Sequence, residues 1–235
     1  MNCLKIVLTI ALLCLTQVAN AEPSAECRPL DSATGLDLLK KVQVAYEKLN
    51  SFEASFVQNS YMLGLDERRE SQGRMAFKKT ARMDWQYQAP VEQRFVTDGK
   101  KVWFFQPDLN QVSIGEFKQA FSSDLPVSFL LGLSTLTDSF ELSSVCQDKE
   151  NIKFTLNPSS SDASISSFEL QVGRENFLPH IAQIIDVGGN ENTIELTFLQ
   201  KNEDIPDEQF VFSVPKGVDV LMENSNNSAS LELSK

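Results

Sequence analysis

GRMAFKKTARMDWQYQAPVEQRFVTDGKKVWFF, residues 73–105, alternates twice. Met75 and Phe77 point one way while Arg74, Ala76 and Lys78 point the other. After a short break Met83, Trp85 and Tyr87 alternate with Arg82, Asp84 and Gln86. Period two with large apolar side chains on one face predicts half-buried antiparallel strands. Two more apolar runs, Arg94–Thr97 and Lys101–Phe105, flank Asp98-Gly99, the dipeptide that most readily closes a hairpin. The middle of the chain is therefore read as a meander whose inner face carries Met, Phe, Trp and Tyr.

Working outward, strand patterns continue on both sides. Phe52, Ala54 and Phe56 alternate in FEASFVQN, and the run Tyr61–Leu65 leads into a charged turn at Asp66–Glu70. Downstream, a Pro107-Asp108 turn precedes a short strand at Val112. Further strands are predicted at Phe140–Cys146, Ile152–Asn157, Ile165–Val172, Ile181–Val187, Thr193–Lys201 and Gln209–Val214, separated by turns rich in Gly, Asn, Asp and Ser. Helical spacing is scarce. Thr34-Gly35-Leu36-Asp37 reads as a capping box ahead of a helix over Leu36–Asn50, with Leu39, Val42 and Tyr46 in its apolar stripe. Glu116–Leu133 predicts two short helical pieces carrying Phe117, Phe121, Leu125, Phe129, Leu130 and Leu133, with Pro126 in the first turn of the second.

The ends have a different character. One charge, Lys5, precedes the apolar run Ile6–Leu15, and Ala19-Asn20-Ala21 offers a small-x-small cleavage site, so residues 1–21 read as an export signal. Cleavage would leave a soluble mature chain starting at Glu22, with an arm over Glu22–Ala33. Its loss removes Lys5 and no acid, deepening the formal charge of −11 by one. So acidic a chain argues against nucleic acid or an anionic membrane as partner. Cys3 and Cys14 leave with the signal. In an oxidising compartment the remaining pair, Cys27 and Cys146, is usually a disulfide; two free buried thiols are the alternative. Residues 221–235 are polar and read as a disordered tail, leaving one domain over 22–220.

About ten strands with apolar residues to one side must cover that face. A single helix could cross part of so wide a sheet without filling it. A curved, incompletely closed barrel under a helical cap would leave a large apolar hollow, whereas a sandwich with a packed core satisfies the same periodicity.

Several segments decide in favour of the first. Phe52–Gln58, Gly73–Trp85, Thr97–Val112, Leu125–Gly132, Leu170–Ile184 and Phe210–Leu221 resemble, in order, the periplasmic lipoprotein carriers of the LolA family. That resemblance implies a mainly β, single-domain, open antiparallel β-barrel with a helical lid over an apolar cavity. It implies a monomeric, non-enzymatic carrier that takes acylated lipoproteins from the inner-membrane ABC complex LolCDE to an outer-membrane acceptor such as LolB. A carrier of another lipid-like cargo, or a periplasmic lipoprotein-sensing regulator, would share the fold. The cavity would be lined by Leu39, Val42, Tyr46, Phe56, Met75, Phe77, Met83, Trp85, Trp103, Phe105, Phe129 and Leu130. Where the family often has an Arg that locks the lid, this chain has Lys79. Lysine lacks the planar donor fork, so a lid that closes less firmly is expected. Met83 likewise sits where an aromatic residue is common.

Other chemistry is thin. His180, the one histidine, lies beside Pro179 without a nucleophile motif and reads as a surface or turn residue. No cofactor, metal or catalytic constellation is expected.

Overall fold

The computed structural model describes residues 27–117, 135–159 and 164–222. The expected export signal, the C-terminal tail beyond Met222 and nearly all of the expected lid, Phe129 and Leu130 included, lie outside them.

Thirteen strands form one sheet: β1 (Arg28–Pro29), β2 (Ser51–Met62), β3 (Glu67–Lys78), β4 (Arg82–Ala89), β5 (Gln93–Asp98), β6 (Lys101–Gln106), β7 (Gln111–Glu116), β8 (Phe140–Gln147), β9 (Asn151–Pro158), β10 (Ile165–Gly173), β11 (Pro179–Asp186), β12 (Glu191–Lys201) and β13 (Asp219–Met222). Two helices accompany them among the described residues, α1 (Ser32–Glu47) and α2 (Leu136–Ser139). Strands β2–β7 make one meander and β8–β12 another. They join through a long antiparallel ladder from Glu191 opposite Tyr61 to Lys201 opposite Phe52. The order β1-β8-β9-β10-β11-β12-β2-β3-β4-β5-β6-β7-β13 never closes on itself, so this is the open, unclosed sheet that the sequence led us to expect.

Local chemistry explains the meander. The β5–β6 turn is sealed by Asp98, whose Oδ1 accepts from the backbone N–H of Lys100 and of Lys101, each at 2.7 Å. Gly99 there has φ +85°, a left-handed conformation that favours glycine. Gly73 answers to a different constraint: a Cβ would stand 1.9 Å from the Gln86 carbonyl oxygen, at the irregularity where β3 meets β4. Across the strands Trp85 lies opposite both Met75 and Phe95, which puts all three on one face.

Helix α1 begins four residues earlier than the capping box placed it and ends at Glu47 rather than Asn50. The cap is Asp31, whose carboxylate accepts from the Thr34 backbone N–H at 2.9 Å and from its hydroxyl at 2.7 Å. An ionised acceptor at the N-terminus holds the amides more strongly than a hydroxyl does, and that contact lowers the Asp31 pKa. Leu39, Val42 and Tyr46 bury the helix against the sheet, with Tyr46 and Phe77 rings 6.4 Å apart. Cys27 and Cys146 are disulfide-bonded, tying the arm ahead of α1 to β8.

Two strand expectations are corrected. The charged stretch Glu67–Glu70 is not a turn; the reversal is at Leu63–Asp66, and β3 begins at Glu67. The far end of the β2–β3 ribbon is largely exposed on both faces, so charge costs little there. Arg68 lies over the Tyr61 ring at 4.3 Å, and Arg69 pairs with Glu67 at 2.8 Å. Gln209–Val214 is not a strand either. Phe210 ends a 3-10 turn and packs on Ala76 and Ile205, while Phe212 packs on Val96, Trp103 and Val112. This strap crosses the outer face of the sheet without joining its ladder. Lys78 fastens it, donating to the Ile205 carbonyl at 2.7 Å and to Asp207 at 2.8 Å. The strap then returns to the ladder as β13, parallel to β7, so Leu221 and Met222 are strand rather than tail.

Candidate functional site

The inner face of the sheet is continuous and apolar. From β2 it takes Phe52, Ala54 and Phe56; from β3, Met75 and Phe77; from β4, Met83 and Trp85; from β5, Phe95. The second meander adds Phe140, Val145, Ile152, Phe154, Leu156, Phe168 and Leu170, and α1 closes over part of the whole. Rings interlock across the strands: Phe52 stacks on Phe77 at 5.2 Å, and Phe56 meets Trp85 at 4.9 Å and Tyr87 at 5.1 Å.

This face is not uniformly closed. Tyr87, Phe104, Ala182, Ile184, Ile194, Leu196 and Phe198 pack against the same cluster yet stay only partly buried. Most lie on β11 and β12, where apolar surface remains available to a visitor. Alternation in β12 (Ile194, Leu196, Phe198) carried that signal, although these residues are absent from the expected lining.

Of the residues the sequence named for the lining, Leu39, Val42, Tyr46, Phe56, Met75, Phe77, Met83 and Trp85 come together on this inner side. Trp103 and Phe105 do not. They lie on the outer face with Val96, Val112 and Phe212 beneath the strap, Phe105 and Phe212 rings 5.2 Å apart. Strand period two forces this: Val102 and Phe104, on either side of Trp103, are the β6 side chains that join the inner cluster. Lys79 donates from its ammonium to the Glu47 carbonyl oxygen at the end of α1. There it satisfies a free helix carbonyl and meets the negative end of the helix dipole.

Polar groups on the inner face are few. Gln58, 3% exposed, accepts from the Tyr87 hydroxyl at 2.6 Å. Burial pushes the Tyr87 phenol up to about 12 and raises that of Tyr46 further. Trp85 Nε1 is buried without a hydrogen-bond partner, as is Asn192 Oδ1. The buried carboxylate, Asp84, points to the outer face and takes a two-pronged bond from Arg94 at 2.8 and 2.9 Å. His180 is half-buried at the start of β11, and burial lowers its pKa. Among the described residues no three of His, Cys, Asp and Glu gather as metal ligands do. A cavity of about 540 Å³ opens beside α1, but Lys40, Lys41, Lys48 and Lys201 line it over Leu49, Phe177 and Leu178. Its cationic wall suits different chemistry from the apolar inner face.

Among the described residues, the arrangement can shield hydrocarbon from water. The chain matches the family model described as outer membrane lipoprotein carrier protein LolA over residues 47–213. It is 33% identical over 218 residues to the outer-membrane lipoprotein carrier protein of Pseudomonas fluorescens (strain Pf-5), covering 91% of this chain and 99% of that protein. The protein of the same name from Pseudomonas syringae pv. tomato is 33% identical over 195 residues, covering 81% and 90%. Among solved structures, an uncharacterized conserved protein from Thermus thermophilus shares the fold, with a TM-score of 0.52 at 15% identity over 81% of this chain and 99% of that one.

Proposed function

Because this chain belongs to the LolA family of outer membrane lipoprotein carrier proteins, we propose that it carries lipoproteins by holding their acyl chains against the inner face of its open sheet. The observation that carries this reading is the continuous apolar face with a half-buried margin on β11 and β12. Burying an acyl chain contributes about 0.8 kcal/mol per methylene, so one long chain contributes on the order of 10 kcal/mol gross. That suffices to hold a lipidated protein in solution without a specific polar grip. Release then needs an acceptor equally able to shield the chain, since water offers no competing site.

In this scheme the mature domain, from residue 22 through the end of β13 at Met222, works in the periplasm as a non-enzymatic monomer. It loads at the inner-membrane ABC complex LolCDE and unloads at a LolB-like acceptor on the outer membrane. The acidic surface would keep the loaded carrier from settling on anionic bilayers in transit. The segment 116–133 would serve as lid, with Lys79 standing where the family has its locking Arg.

Purification from the periplasm followed by mass spectrometry of bound material tests the scheme. Acylated lipoproteins are expected; recovery of a different lipid class alone would overturn it.

A further inference from the structure

We propose that Trp85, backed by the Gln58–Tyr87 pair, forms a polar band across the inner face that receives the carbonyl of an acyl linkage, ester or amide, with the indole N–H donating to it. The proposal rests on the carrier reading and adds where, and by which group, the cargo's polar linkage is held.

Trp85 is 7% exposed and its Nε1–H has no acceptor. Buried donors without partners are rare in native proteins, and each calls for an explanation. Phenylalanine would fill the site without stranding a donor. The register neighbours of Trp85, Met75 and Phe95, bring no side-chain oxygen to it. A carbonyl entering this face can therefore supply the missing acceptor.

The surroundings fix its chemistry. Along the inner face of β2–β4 polarity rises away from α1. At the α1 end the wall is Phe52 and Phe77, then Phe56 beside Trp85, with ring centres 4.9 Å apart. One step further Tyr87 stacks on Trp85 at 6.2 Å and donates to Gln58 at 2.6 Å. Beyond them, opposite Ser60, comes Asn192, whose Oδ1 is also buried without a partner. An amphiphile laid along this gradient puts its hydrocarbon toward α1 and its linkage at Trp85. The band holds neutral groups only; the buried carboxylate, Asp84, is on the other face with Arg94. Neutral donors and acceptors suit an uncharged carbonyl, whereas a carboxylate or phosphate would call for a cation.

The test compares two synthetic probes on the full mature protein. One is a cysteine peptide bearing two ester-linked palmitoyl chains; the other is its ether-linked dihexadecyl counterpart, which lacks the carbonyls. A single net hydrogen bond predicts that the wild type prefers the ester by about 3- to 10-fold. Trp85→Phe is expected to bring that ratio near one, while Trp103→Phe, on the outer face, keeps it. In the wild type the ester probe should also shift the Trp85 indole N–H resonance downfield, with Trp103 as internal reference, a readout that needs no variant to fold. Equal affinity of the wild type for both probes, or a preference that survives Trp85→Phe, overturns the proposal while leaving the carrier reading intact. If the wild type binds neither probe, both fall together.

Discussion

Ile184 and Ile185 are neighbours on β11 with the same side chain, both partly buried, and they point to opposite faces of the sheet. Ile184 packs with the inner cluster, opposite Phe168 and Asn192. Truncating either to Ala removes three carbons, about 2.4 kcal/mol of transfer free energy at about 0.8 kcal/mol per methylene. Since each is no more than about a third exposed in the free protein, most of that bears on folding and about 0.8 kcal/mol at most remains to be gained from a ligand. Ile184→Ala should therefore weaken binding of a lipidated probe by about 4-fold, on the scale where 1.4 kcal/mol is tenfold. Ile185→Ala should cost a similar amount of stability and change affinity by less than about twofold. Fluorescent displacement titrations, with thermal unfolding of each variant, measure both quantities. Equal loss of affinity in the two variants, or a larger loss from Ile185→Ala, would refute the assignment of the inner face.

Other perturbations probe the scaffold. Replacing Cys27 and Cys146 by Ser opens a crosslink between residues 119 apart in sequence, and should cost about 2–5 kcal/mol, read as a lower Tm that reductant reproduces in the native chain. Asp84→Ala removes a carboxylate whose side chain is 1% exposed and strands Arg94; breaking such a pair should cost about 3 kcal/mol in denaturant titration, and a loss below about 1 kcal/mol would show that the pair contributes little. The Lys78 contact holds the Asp207 carboxyl below its ordinary value of 3.8. A lowered folded-state pKa stabilises above the ordinary value and loses that contribution as pH falls through the shifted one. Hydrogen exchange in the strap around Phe210 and Phe212 should thus accelerate below about pH 4 before the inner strands respond; simultaneous loosening of both would contradict this. Gly73→Ala should abolish soluble expression, because its Cβ would overlap the Gln86 carbonyl.

Much of the fold was legible because one physical pattern dominates it. Met75, Phe77, Met83, Trp85 and Tyr87 alternate with polar residues, and strand geometry alone sends them to one side. What failed did so where both faces of a strand are covered. In β5 and β6 the run Phe95–Val96 and the run Val102–Phe105 are apolar throughout, so alternation no longer tells inside from outside. The second cover is the strap carrying Phe210 and Phe212, and its own alternation imitates a strand although it packs across the sheet rather than pairing along it. Glu67–Glu70 failed for the opposite reason, since an exposed ribbon end places no apolar demand on either face. The Gln58–Tyr87 bond was out of reach of local pattern, because its partners are 29 residues apart and meet only through register.

The central claim is that acyl chains lie on the inner face, and crosslinking in living cells addresses it without purification. A photoreactive amino acid placed at Leu196, which packs against the inner cluster, or at Thr197, the exposed next residue on β12, would report what each face touches. Adducts with lipoproteins are expected from position 196 and not from position 197. Adducts from 197 alone, or from neither position while lipoproteins still reach the outer membrane, would contradict the account.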